Sequence, residues 1–222
     1  MSKRKVYIDR LIQALLVCSL IPWLIGITLM IMLLPPVTQF WSGLLSDFHN
    51  AAVSKEELLD AADAGLRYVN GGMDNMPRGL DERFAFTDDV LSHMQDVRKV
   101  FSLARMVTII LSIIIVGLGI LSVARKEIPR LGRSMALAAI LTFLLIAAFV
   151  FIGWLNFDFL FTKMHELLFA EGSWLFRYDS LLINAYPLAF WIAMAATWAV
   201  LIMVFCFLFF AVGRRLGSKK QR

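Results

Sequence analysis

His49, His93 and His165 are the only histidines in the chain, the residue type whose ordinary titration falls near neutrality. His93 lies in LSHMQDVRKVF, residues 91–101, with Asp89 four residues before it and Asp96 three residues after. At a helical period of 3.6, Asp89, His93, Asp96, Val97 and Val100 share a face, so this imidazole has a carboxylate one turn away on either side. His165 lies in NFDFLFTKMHELLF, residues 156–169, where Asp158, Thr162 and His165 form one stripe. An imidazole beside a carboxylate can take up and return protons, which is general acid–base chemistry. The competing reading is structural, because ion pairs at helix ends surround histidines in the same way without any catalysis.

Other chemistries find less support. HELLF, residues 165–169, opens like a metalloprotease helix, but Phe169 stands where the second histidine is required. No ligand spacing selects three histidines, so no metal site is expected. There is no G-x-S-x-G, and Cys18 and Cys206 both fall inside long apolar runs, where a thiolate is disfavoured; both are read as buried packing residues. An enzyme built from these residues would work by histidine acid–base steps with no enzyme-bound intermediate. His49, in SDFHN, reads as a surface or interfacial residue.

The elements that must position these groups are membrane helices. Hydrophobic residues make up 59% of the 222-residue chain and its mean hydropathy is +0.73, beyond the roughly 45–50% of a soluble domain. Four runs, 11–34, 101–123, 135–155 and 187–212, are long enough to cross a hydrocarbon core about 30 Å thick. The first is too long for a signal-peptide core and reads as a retained anchor. Lys and Arg crowd the N-terminus, the 124–134 loop and the C-terminal tail, which places all three in the cytoplasm. The 35–100 loop carries eleven Asp or Glu against six Lys or Arg, and the 156–186 loop four against two, so both face outward. The pI of about 9.4 therefore reports tails beside anionic phospholipid rather than a nucleic-acid surface. A small transporter would place ionisable residues at mid-membrane depth, and the span centres have none. A membrane accessory or sensor protein, binding a partner through its outer loop, is a further alternative.

The outer loops contain their own helices. PPVTQF, from Pro35, ends the first span, since proline cannot continue a helix. Ser54 with Glu57 forms a capping box, and Gly71–Gly72 stops that helix. Residues 75–86 read as irregular loop. Thr87 caps a helix that starts at Asp88 and runs unbroken to Val123. Asn156 caps a short helix with an apolar stripe of Phe157, Leu160, Phe161, Met164 and Leu168. Trp154, Trp174, Tyr178, Tyr186 and Trp191 read as an interfacial aromatic belt, so this loop lies along the membrane surface. The expected fold is an all-α membrane protein, a single membrane domain of four transmembrane helices. A helical extracellular cap lies between helices 1 and 2, and an interfacial helix between 3 and 4.

HMQDVRKVF at 93–101, NFDFLFTKMHELLF at 156–169 and SWLFRYDSLLINAYP at 173–187, with the four-span layout, resemble the lipoprotein intramolecular transacylase (Lit) family of Gram-positive bacteria. The resemblance implies an acyltransferase of the bacterial cell membrane with its active site on the extracellular side. Its substrates would be diacylglyceryl-modified lipoproteins. It would move an acyl chain from the sn-2 ester to the α-amine of the lipidated cysteine, giving the lyso-form N-acyl lipoprotein, with no cofactor. The family's two catalytic histidines map onto His93 and His165. Asp96 and Asp89 would then orient His93, Asp158 or Asp179 would support His165, and Arg98 would bind the substrate carbonyl or a headgroup, or else pair with the charges around Asp96. Met164 stands where the family more often has an aromatic residue, and Tyr178 where a proline often precedes the aspartate.

Overall fold

The computed structural model describes residues 3–48, 53–77 and 86–218. His49 and most of the 75–86 loop lie outside the described residues. All regular structure among the described residues is helical. α1 spans Lys3–Met32, α2 Pro35–Leu45, α3 Lys55–Val69, α4 Asp88–Ala124, α5 Ile128–Leu155, α6 Phe157–Leu168, α7 Leu181–Ala185 and α8 Leu188–Gly217. α1, α4, α5 and α8 are long and apolar enough to cross a membrane.

The chain divides into two compact units. The first comprises 1–29, 105–151 and 198–222. Its core packs Leu24, Ala139, Ile146, Ala199, Ile202 and Cys206, flanked by Trp23, Trp198 and Phe209. Cys206 is thus a packing residue as expected, whereas Cys18 is exposed on the outer face of α1. In a membrane that face meets acyl chains, so burial inside the protein is not required of an apolar thiol. Indole donors are satisfied across helices: Trp23 Nε1 donates to Ser112 Oγ at 2.8 Å, and Trp198 Nε1 to Thr28 Oγ1 at 3.1 Å. Asp9 is buried and pairs with Arg125 and Arg130, each at 2.7 Å. α5 and α8 approach backbone to backbone at Gly132 and Gly213.

The second unit comprises 30–104 and 152–197 and holds all of α2, α3, α6 and α7. α2 was not expected from the sequence. Pro35 and Pro36 do end α1, but they then occupy the first turn of a new helix, where the missing N–H costs nothing. α3 starts as read: Ser54 Oγ accepts from the Glu57 N–H and the Glu57 carboxylate accepts from the Ser54 N–H. It stops as read too, with Gly71 at φ +80° and the Gly72 N–H donating to the Arg67 carbonyl at 2.8 Å. α7 is a single turn capped by Ser180, too short to leave a period in the sequence.

The core of this unit packs Leu58, Ala62 and Val69 of α3 with Val90 and Met94 of α4, and Ala185, Tyr186 and Phe190 near α7 and α8. Ser46 Oγ donates to the Ala185 carbonyl at 2.9 Å, and Tyr186 Oη donates to the Ala62 carbonyl. Two of the expected belt residues are therefore turned inward: Tyr186 is buried, and Trp174 lies against a histidine ring. Trp154 and Tyr178 remain exposed. Tyr186→Phe deletes the buried hydroxyl donor and is expected to lower stability by about 0.5–1.5 kcal/mol, read as a lower thermal midpoint in detergent.

Candidate active site

His93 sits in the second turn of α4, after Asp88 and Asp89, whose charges favour a helix N-terminus. His165 sits in the last turn of α6. A single residue, Asn156, separates that helix from α5: it leaves the helical conformation and its Oδ1 accepts from the Phe159 N–H at 2.9 Å. The two rings stack with centroids 6.3 Å apart and planes 22° from parallel. They are 7% and 8% exposed, so both are withdrawn from water.

An aromatic shell surrounds them. Phe169 and Phe176 meet His93 edge-on at 4.8 and 5.3 Å. Phe161 and Trp174 lie 4.0 and 4.9 Å from His165. His165 is the one buried residue of α6. Of the apolar stripe, Phe157, Leu160 and Phe161 are half-buried and Met164 and Leu168 exposed. The hydrophobic effect that buries such a stripe in water has no counterpart where the surroundings are acyl chains.

His165 Nδ1 lies 2.8 Å from the Phe161 carbonyl oxygen. A carbonyl only accepts, so Nδ1 carries the proton and Nε2 keeps the lone pair. Burial pulls the His165 pKa below 6.5, opposed by the Phe161 bond, so the ring is neutral at pH 7. The unfolded chain takes up this proton before the folded protein does. Stability from this group is therefore present above about pH 6.5 and is lost as the pH falls through the folded value. A titration of labelled imidazole by NMR in detergent is expected to give a His165 midpoint below 6.5. A midpoint at or above 6.5 would contradict the burial argument.

Three of the four carboxylates named from sequence have other partners. Asp96 pairs with Lys99 at 2.9 Å, near solvent. Asp89 takes a hydrogen bond from the Thr87 side chain at the start of α4. Asp179 is held by Arg177 through two bonds of 2.9 and 2.8 Å, both residues exposed. Asp158 is exposed in the first turn of α6. Among the described residues, none of these carboxylates hydrogen-bonds either imidazole. Arg98 donates from Nη1 to the Met73 and Asp74 carbonyls at 2.8 and 3.2 Å and covers the Tyr68 ring, which ties α4 to the chain beyond α3. Sequence reasoning missed the roles of Phe169, Phe176 and Trp174. The contacts with a signal were those of Phe161 and Phe169 on His165, each four residues away.

Comparison with known proteins gives a family and a fold. The sequence model described as lipoprotein intramolecular transacylase Lit matches residues 12–191. A relative from Aquifex aeolicus (strain VF5), described as an uncharacterized protein, is 32% identical over 172 residues, 75% of this chain and 76% of the relative. The solved structure of the membrane integral lipoprotein intramolecular transacylase Lit from Bacillus cereus superposes with a TM-score of 0.82 at 21% identity. The match covers 95% of this chain and 96% of that one. A variant of that protein with one histidine replaced by arginine gives a TM-score of 0.77 at 20% identity, covering 96% and 93%. Those two structures share the fold, and the sequence match extends through both histidine blocks. The chain belongs to the lipoprotein intramolecular transacylase family.

Proposed function

We propose that the protein transfers a fatty acyl chain from the sn-2 ester of a diacylglyceryl-cysteine to the α-amine of the same cysteine, with His93 and His165 moving the protons. The observation that carries this reading is the pair of buried, stacked imidazoles, 6.3 Å apart in an aromatic shell. Attack within one molecule needs no enzyme nucleophile, since placement alone supplies effective molarities of about 10⁵ M or more.

The substrate amine arrives as an ammonium group. His93 takes its first proton and leaves a nucleophilic amine. As the C–N bond forms, His165 Nε2, whose lone pair is fixed by the Phe161 bond, takes the second proton. His93 returns its proton to the glyceryl oxygen as the C–O bond breaks. Ester and ammonium thus become amide, alcohol and one released proton. The products are a lyso-form N-acyl lipoprotein and an unchanged enzyme.

The charge distribution along the chain supports an orientation with both termini in the cytoplasm and the histidine pair on the extracellular side. The outward apolar residues of α6, Leu167 and Leu168 among them, suit contact with phospholipid at glycerol depth. The test is expression in a host that makes only diacyl lipoproteins, followed by mass spectrometry of lipoprotein N-termini. The expected product carries its amide-linked chain on cysteine and a free sn-2 hydroxyl. An acyl chain that stays on glycerol would sink the reading.

A further inference from the structure

Two of the buried side-chain atoms with no hydrogen-bond partner among the described residues lie in the histidine cluster: His93 Nδ1 and Trp174 Nε1. An indole N–H can only donate, and burying it unpaired carries a desolvation penalty. Elsewhere the protein avoids that penalty. Trp23, Trp41 and Trp198 each donate to a hydroxyl, on Ser112, Thr197 and Thr28 respectively. Trp174 is the exception, and its ring lies 4.9 Å from that of His165.

The turn that carries this indole is well fixed. Gly172 adopts φ +78°, which an L side chain rarely takes, and Ser173 bonds back to the Ala170 carbonyl through both its N–H, at 3.1 Å, and its Oγ, at 2.8 Å. The donor is therefore placed before any substrate arrives, so no reorganisation is needed when charge develops.

We propose that Trp174 Nε1–H is an oxyanion donor: it bonds the carbonyl oxygen of the sn-2 ester and strengthens that bond in the tetrahedral intermediate. This rests on the reading that His93 and His165 handle the protons. When the amine nitrogen adds to the carbonyl carbon, the π pair moves onto oxygen, and the Trp174 N–H meets the new negative charge. On collapse the pair returns to re-form the carbonyl, and the glyceryl oxygen leaves with a proton from His93. A hydrogen bond to an oxyanion is shorter and stronger than one to a neutral carbonyl, so the contact favours the transition state over the bound ester.

The test uses the full-length enzyme in phospholipid vesicles with a synthetic diacylglyceryl-cysteinyl peptide. Trp174→Phe removes the donor, and replacement of Trp174 by benzothienylalanine exchanges N–H for sulfur while keeping the ring shape. Each is expected to lower kcat by about 10²- to 10³-fold, with KM and thermal midpoint close to those of the parent. If the benzothienyl enzyme keeps kcat within a few-fold, or loses only KM, the donor role is overturned. That holds even if the Phe variant misfolds. His93→Ala and His165→Ala in the same assay separate the two readings: turnover lost there but kept in the Trp174 variants removes only the oxyanion role. Turnover kept in both histidine variants removes the proton-transfer scheme instead.

Discussion

His165→Ala is expected to slow the acyl shift by about 10²- to 10⁴-fold, the usual contribution of a positioned acid or base, and His93→Ala to do the same. In the proposed scheme both imidazoles share one proton path, so the double variant should lose little more than either single one. The measurement is the rate of amide formation on a diacylglyceryl-cysteinyl peptide, with the thermal midpoint recorded beside it. Asp96→Ala and Asp179→Ala supply the contrast. Their carboxylates pair with Lys99 and Arg177 near solvent, so turnover within a few-fold of the parent is expected. A His165 variant at full rate would displace that residue from the mechanism.

Gly132→Ala is expected to produce the largest loss of stability. A Cβ there would stand 2.6 Å from the Gly213 carbonyl oxygen and 2.8 Å from the Leu216 carbonyl carbon, and would also meet the Gly217 nitrogen. All three are backbone atoms and cannot rotate away, so α5 and α8 must separate along that crossing. Overpacking of this kind costs about 1–3 kcal/mol and more where nothing yields. Small residues let membrane helices approach until their backbones touch, and Gly213 faces Gly132 for the same reason. Gly117→Ala is the matched control. Nothing lies within 4 Å of a Cβ at that position in α4, so only the helix preference of alanine remains. That change is expected to stabilise by up to about 1 kcal/mol. Thermal unfolding of the three proteins in one detergent decides the order, and equal midpoints for Gly132→Ala and the parent would refute the crossing argument.

What the sequence revealed followed the range of the interaction. The Ser54–Glu57 box, the Gly71 stop, the Asn156 cap and the unbroken helix from Asp88 are local, and each was readable from a few neighbouring residues. The four apolar runs were readable because length and hydropathy alone define them. α2 was hidden because Pro35 and Pro36 serve equally as a stop for one helix and a first turn for the next. The partners of the carboxylates were harder still: whether Asp96 turns to His93 or Lys99 depends on which lies nearer to water. Beyond Phe161, the aromatic shell was hard to read. Phe169 and Phe176 carry no period that points at His93, nor Trp174 one that points at His165, and only the folded chain brings them there.

α4 runs 37 residues without interruption, about 55 Å at 1.5 Å per residue, against a hydrocarbon core of about 30 Å. His93 stands on this rod eight residues, about 12 Å, before Phe101, where the apolar stretch begins. A helix of this kind does not stretch, so it acts as a ruler measured from the lipid. In a thicker bilayer the ester plane rises while the imidazole keeps its height on the rod, and the protein must tilt or thin the bilayer to restore register. On the proposed mechanism, turnover in vesicles is therefore expected to depend on the acyl-chain length of the phospholipid.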